Sequence, residues 1–374
     1  MSITKGLGPS IFSQMTQLAE EVGAINLAQG FPNMPIDQKL KDCIAVAAQS
    51  EQHQYSPFQG IPELRQQISD LIFRSCGVRV SSSEILVTTG ATQAIFTTVQ
   101  AMVKSGDEVI LLDPCYDCYE LPAILVGAKP VYAPLNEDYL PNWDLIEDLM
   151  TPRTRLIMIN SPHNPSGRVW QEKEYRALEH LLIKYPEVVL LSDEVYEYLA
   201  FDHPHYSVRQ SPILKERSVV VASFGKSLQA TGWKIGYLSA PERLLRNILQ
   251  VHQFLVFSVN SFLQKGIANY LEEFNPRNVN DDCRMRRDFF TSALQSSKLI
   301  LLPCEGTYFQ TVDYSMVSSA KDVDFARQLA RDVGVASIPI SVFNHDFRDL
   351  KHLRFCFAKT EETLSEATQR LCTL

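Results

Sequence analysis

The sequence predicts an α/β protein with a mostly parallel sheet covered by helices on both faces. Short apolar runs recur after residue 84, at Ile85–Val87, Val109–Leu112, Val131–Tyr132, Leu156–Ile159, Val188–Leu191, Val219–Val221 and Ile235–Leu238. Amphipathic stretches such as Thr92–Val103 and Glu172–Lys184 separate several of them. Strands alternating with helices pack as a parallel sheet between two helical layers. The chain has 374 residues, 45% hydrophobic and 21% charged, which suits one large α/β domain and a smaller one.

Upstream of the sheet, Ser10–Glu21 reads as a helix, and Ile25–Asn33 is held open by Gly30 and Pro32. Past Leu244 a long helical stretch takes in Val251–Asn260. A second α/β segment follows: Leu299–Leu302, Thr307–Val312, a helix near Val323–Val333, Ala336–Ile338, Leu353–Phe357 and a final helix. We therefore expect a large domain over residues 40–285 and a small domain made of 1–39 with 286–374.

Composition excludes several classes. A net charge of −8 without a Lys/Arg run argues against nucleic acid as a partner. No apolar run reaches membrane-spanning length, and Met1–Gly8 lacks a basic-then-apolar leader pattern. Eight cysteines without framework spacing point to reduced thiols and a cytoplasmic protein. Cys115 and Cys118 have C-x-x-C spacing, but no thioredoxin-like context surrounds them and no second pair completes a metal set. Two small loop residues are the expectation there, and no metal is expected.

Ligands of parallel sheets bind at the carboxyl ends of strands. Gly90, Tyr116, Asn164, Asp193 and Lys226 each follow one of the apolar runs. A lysine at the end of a buried strand can be desolvated enough for Schiff-base chemistry, and Gly225 is expected to bend the backbone sharply before Lys226. Gly90, Ala91 and Thr92 stand where a helix begins and its free N–H groups would cradle a phosphate, although Thr92 also suits a plain helix cap. Ser223 and Lys234 can add a hydroxyl and a charge to that cradle. Arg354 lies in an apolar strand, where its fork needs either a ligand carboxylate or a structural salt bridge. His163 reads as a structural loop histidine.

The stretch Ser223–Tyr237 resembles the lysine segment of fold-type I, class I/II pyridoxal-phosphate aminotransferases, S-x-G-K-x-x-x-x-G-W-[RK]-x-G-Y. It matches at Ser223, Gly225, Lys226, Gly232, Trp233, Lys234, Gly236 and Tyr237. Asp113–Tyr119 is similar to the family's D-P-x-Y-x-x-Y loop, Asn160–Gly167 to its N-x-P-x-N-P-x-G segment, and Tyr55–Arg65 to its Y-x-x-x-x-G-x-x-x-L-R segment. The resemblance implies the fold-type I architecture, with a seven-stranded sheet, and pyridoxal 5'-phosphate as cofactor. Lys226 would carry it as a Schiff base and move the substrate proton. Asp193 would face the pyridine nitrogen, Tyr196 and Asn164 the 3-oxygen, and Tyr116 one face of the ring. Gly90, Ala91, Thr92, Ser223 and Lys234 would hold the phosphate. Tyr55 would reach the phosphate of a neighbouring subunit, which implies a homodimer. Gly30, Phe31, Asn164 and Arg354 would receive the substrate, Arg354 taking its α-carboxylate. Taken alone, Gly30 also fits a plain turn, Tyr55 and Tyr116 fit packing, and Asp193 fits a helix cap.

Four further stretches, Gln29–Pro32, Asn160–Pro165, His252–Asn260 and Pro303–Phe309, resemble the methionine/kynurenine/glutamine aminotransferase group in particular. That implies ping-pong transfer of the amino group of a neutral amino acid to a 2-oxo acid, with Phe31, Tyr116 and Phe343 around the side chain. Phe343-Asn-His345 departs from the F-[YC] expected after Ser341, so the pocket rim is expected to differ. The alternatives are a cysteine-conjugate β-lyase on the same cofactor, and a non-catalytic cofactor-binding regulator. The regulator needs a DNA-binding module, for which the residues before Gln29 leave no room.

Overall fold

The apolar runs assemble side by side, most of them buried on both faces; the run at the edge, Val131–Tyr132, is half-buried. In spatial order the large sheet runs Ile85–Thr88, Gly236–Ser239, Ser218–Ser223, Val189–Asp193, Thr154–Asn160, Glu108–Asp113 and Lys129–Pro134. The structure is a computed structural model that describes residues 10–51 and 53–374; the Met1–Gly8 stretch read for a leader lies outside the described residues. Gly236–Ser239 pairs antiparallel with both neighbours, and the other pairings are parallel.

Strand periodicity sends neighbouring residues to opposite faces. Leu111, Met158, Leu191 and Val219 pack into one apolar cluster, while Ile110, Ile157, Leu190 and Val220 pack into another. The helices Gly90–Met102 and Glu172–Lys184 join these two clusters respectively, through Val99 and Leu178. Every crossover returns the chain to the same edge, so the carboxyl ends of the parallel strands lie together.

A smaller antiparallel sheet, in the order Ile338–Pro339, His352–Cys356, Phe309–Asp313 and Ile300–Leu301, stands beside the large one. The N-terminal strand Ile25–Asn26 pairs in parallel with Val335–Ala336, which ties the first segment of the chain to its last third. The helix Pro276–Leu294 carries the chain between the sheets. No described helix is long and apolar enough to cross a membrane.

Several expectations are refined. The helix predicted through Val251–Asn260 stops at Leu255; Phe257 takes a φ of 66°, and Asn260 caps the next helix, Ser261–Leu271. Ala336–Ile338 divides, Val335–Ala336 pairing with the N-terminal strand and Ile338–Pro339 with the small sheet. Thr307, at φ 67°, delays its strand to Phe309. Gly225 is not a sharp bend: it lies inside the helical turn Phe224–Ser227. A Cβ there would sit 3.1 Å from the Thr231 Cα, so glycine serves close approach of two backbone segments.

Gly236 shows the same constraint more severely. A Cβ on it would fall 2.6 Å from the Ala222 carbonyl oxygen in the adjacent strand. Gly236→Ala is expected to destabilise the protein by about 1–3 kcal/mol through overpacking, read as a lowered midpoint in chemical denaturation.

Candidate active site

The strand ends enclose a cavity of about 470 Å³, within the size range of small-molecule sites. Gly30, Phe31, Gly90, Ala91, Thr92, Tyr116, Asn164, Asp193, Tyr196, Ser223, Lys226, Lys234 and Arg354 all line it. Tyr55 does not. Its side chain lies on the surface, 81% exposed, edge-on to Phe257.

One wall is a helix end. The helix Gly90–Met102 starts without a side-chain cap, and Thr92 lies inside its first turn, so the capping role considered for Thr92 does not apply. Gly90 has a φ of 76°, and a Cβ on it would lie 3.4 Å from Lys234 Nζ. Uncapped N–H groups, the positive helix end and an adjacent ammonium form an anion cradle.

Lys226 follows the strand Ser218–Ser223 in a single helical turn and is half-buried. Its Nζ donates to Tyr308 Oη at 2.8 Å, and that hydroxyl donates to the Gly30 carbonyl at 2.8 Å. Burial pushes the ammonium down to about 8, and the positive charge of Arg354 acts in the same direction.

Asp193 ends the strand Val189–Asp193. Its Oδ2 accepts from Tyr119 Oη at 2.6 Å and its Oδ1 from the Val195 N–H at 3.1 Å. Burial raises the carboxyl to about 6 despite these donors. Asn160 pairs in register with Asp193; its Nδ2 donates to the Asp193 carbonyl at 2.8 Å, and its Oδ1 accepts from the Asn164 N–H at 2.8 Å. One asparagine thereby fixes the positions of two cavity residues.

Arg354 is 1% exposed and no described carboxylate pairs with it. Its Nη1 donates to Asn164 Oδ1 at 2.5 Å and its Nη2 to the Ala28 carbonyl at 3.2 Å, while the buried Nε has no partner among the described residues. The guanidinium carbon lies over the Phe309 ring, 3.8 Å from its centroid, a favourable contact for a desolvated cation. Burial lowers Arg354 to about 10. The structural salt bridge considered for Arg354 is not formed, and a cation in this state calls for an anion from outside.

Tyr196 stands edge-on to Tyr308 at 5.2 Å, and burial holds its hydroxyl protonated well above the usual range. Phe12, from the start of the N-terminal helix Ile11–Val22, also lines the cavity and meets Tyr116 edge-on at 6.4 Å. Phe343 is buried behind the lining, 5.2 Å from the Arg354 guanidinium. It backs the arginine and does not form the pocket wall expected of it. Sequence reasoning missed Phe12, Tyr119, Asn160 and Phe309 as cavity groups, and Tyr308 as the partner of Lys226.

Burial raises the thiols of both Cys115 and Cys118, the opposite of what redox cysteines need. His163 is wholly engaged: Nε2 donates to the Pro114 carbonyl at 3.1 Å and Nδ1 accepts from Ser166 Oγ at 2.7 Å.

Residues 22–371 match the family of class I and II aminotransferases, and the chain belongs to that family, whose members are pyridoxal-phosphate-dependent. Among individual proteins, it is similar to the methionine aminotransferase of Escherichia coli K12, with 43% identity over 371 residues, 98% of this chain and 96% of the relative. It is 30% identical over 407 residues to kynurenine–oxoglutarate transaminase 1 of Mus musculus, covering 98% and 96%. The solved E. coli methionine aminotransferase superposes with a TM-score of 0.98 at 41% identity, over 100% of this chain and 99% of that one. N-succinyldiaminopimelate aminotransferase of Mycobacterium tuberculosis gives 0.95 at 32%, with 100% and 99% coverage.

Burial also depresses His163, to about 4 from an ordinary 6.5. The unfolded chain takes up this proton below its ordinary value and the folded chain does not until about 4, so stability falls as pH drops through that window. Between pH 7 and pH 5 the loss is about 2 kcal/mol. In His163→Gln that part of the acid slope should vanish, as urea titrations at the two pH values would show.

Proposed function

We propose that this aminotransferase binds pyridoxal phosphate in the cavity and moves the amino group of a neutral amino acid, methionine foremost, to a 2-oxo acid. The observation that carries the reading is the buried Arg354 guanidinium, which pairs with no carboxylate among the described residues and shares one cavity with a desolvated lysine. The residues present fit the cofactor. The helix end at Gly90 with Lys234 and Ser223 suits its phosphate, Asp193 its ring nitrogen, Tyr196 and Asn164 its 3-oxygen, and Lys226 its aldehyde.

Bound there, the cofactor supplies a carbonyl that condenses with amines and a ring that accepts electrons from the substrate Cα–H bond. Asp193 keeps an opposing ring nitrogen protonated, and that positive charge would in turn draw its own raised pKa down. Arg354 forks the α-carboxylate of the amino acid. Because Asn164 Oδ1 is engaged by Arg354, its Nδ2 remains to donate to the ligand. Lys226, at about 8, is unprotonated in about a tenth of molecules at pH 7 and about half at pH 8, which suits removal of the Cα proton and its return at another carbon. Tyr308 holds the Lys226 amine in place from the Gly30 side.

The substrate class rests on the likeness to the E. coli methionine aminotransferase and on the apolar lining from Phe12, Phe31, Tyr116 and Phe309. Among the described lining residues Arg354 is the sole arginine, which leaves no second fork for a dicarboxylate. The working form is proposed to be a homodimer. Tyr55, Phe254, Leu255 and Phe257 make an exposed apolar surface suited to a second copy, with Tyr55 reaching the partner's cofactor phosphate.

Methionine alone should convert the visible absorption band of the purified protein toward the amine form, and a 2-oxo acid should restore it. A band indifferent to methionine would remove the substrate assignment; pyruvate and ammonia released from a cysteine S-conjugate, its thiol leaving from Cβ without any acceptor, would point to β-elimination. Lys226→Ala is expected to lower turnover by about a thousandfold or more. Arg354→Ala should raise the amino-acid KM roughly ten- to a hundredfold; an unchanged KM would make Arg354 structural.

A further inference from the structure

The departure at Phe343-Asn344-His345 closes onto the loop that bears Tyr116. The Cys115 N–H donates to the Phe343 carbonyl at 3.0 Å. The His345 N–H donates to Asp113 Oδ1 at 3.1 Å, and its Nδ1 meets Asp113 Oδ2 at 2.9 Å. A carboxylate only accepts, so Nδ1 carries the proton. The imidazole also stacks on Tyr132, with centroids 4.1 Å apart and planes 5° from parallel, and the Tyr132 hydroxyl donates to Glu120.

Asp113 is 1% exposed. Without the imidazole its carboxylate would keep the backbone donor at position 345 but lose the side-chain donor, a loss a buried anion registers strongly. The contact also joins two sides of the cavity. Phe343, two residues before His345, lies against Arg354 and meets Phe12 edge-on at 5.9 Å. Asp113 begins the loop through Tyr116, which lines the cavity, to Tyr119, which bonds Asp193.

We propose that His345 is a positioning residue: clasped by Asp113 and Tyr132, it holds Phe343 behind Arg354 and sets the distance between the arginine and the Tyr116 loop. This rests on the reading of Arg354 as the carboxylate fork. The side chain is 39% exposed and touches no cavity group, so it acts through Phe343 and Asp113.

Three variants separate the components. His345→Ala removes both the hydrogen bond and the stack, His345→Phe keeps a ring on Tyr132 without a donor, and His345→Asn keeps a donor toward Asp113. The full-length, cofactor-loaded proteins would be titrated with methionine in the absence of acceptor, and retention of the visible band followed in the same samples. His345→Ala and His345→Phe should weaken methionine binding roughly three- to tenfold, with a larger effect on KM than on kcat, and His345→Asn should recover most of the loss. Methionine affinities within twofold of wild type in all three variants would overturn the proposal. So would a loss matched by equal loss of cofactor, or an Asn variant no better than Phe. A wild-type protein without any methionine half-reaction would remove the aminotransferase reading and the clasp with it; a competent wild type with unchanged variants would remove the clasp alone.

Discussion

A guanidinium buried among aromatic rings, with no ion-pair partner among the described carboxylates, is the constraint from which the arrangement of the site follows. Leaving Arg354 unpaired costs several kcal/mol of desolvation, and the protein spreads that cost over partial compensations. Asn164 and the Ala28 carbonyl accept from two of its nitrogens, and Phe309 provides a π face. None of these cancels the charge. An incoming carboxylate therefore meets a fork already stripped of water and oriented, the condition under which a charge-assisted pair is strongest.

The same low-dielectric interior sets the acid–base balance around it. Lys226 and Asp193 are moved toward neutrality by burial, the lysine down to about 8 and the carboxyl up to about 6. These are opposite displacements with one cause, and they bring both groups close to physiological pH, where proton-handling residues work best. Glu194, the next residue along from Asp193, goes the other way. His205 and Arg209 surround it and hold it low, at about 2. Adjacent carboxylates on one strand end thus differ because one meets cations and the other faces the cavity.

Much of this was legible in the sequence because it is local. Strand runs with the same two-sided burial, and a functional residue at the end of each, gave the sheet and the positions of Gly90, Asn164, Asp193 and Lys226. The motif around Lys226 named the family on fixed spacing alone. What was not legible depends on residues brought together from distant segments. Tyr119 and Tyr308 are aromatic residues in recognised motifs, but nothing in their spacing shows that one bonds Asp193 and the other Lys226. Phe12 lies in an ordinary amphipathic helix start, and Phe309 opens an ordinary strand; their place beside Arg354 depends on how the small sheet docks. Gly225 was misread for a related reason. Its neighbour Thr231 determines the need for glycine, through a contact six residues ahead, and backbone freedom does not.

The chain of contacts from Lys226 to the N-terminal segment shows how the two sheets come to share one site. Lys226 leaves the large sheet, Tyr308 precedes the central strand of the small one, and Gly30 follows the strand that pairs with Val335–Ala336. Hydrogen bonds of 2.8 Å link the three in series. A shift of the small sheet would therefore move Tyr308 and Arg354 together: Tyr308 immediately precedes the strand that pairs in register with that of Arg354, Phe309 opposite Cys356 and Thr311 opposite Arg354. The Tyr308 carbonyl also accepts from the Phe357 N–H. The amine and the carboxylate fork are thus coupled through sheet geometry and not through direct contact. For a reaction that must present one substrate carbon to the lysine while gripping its carboxylate, that coupling fixes the distance that matters, and the precision comes from backbone pairing, the stiffest connection the fold offers.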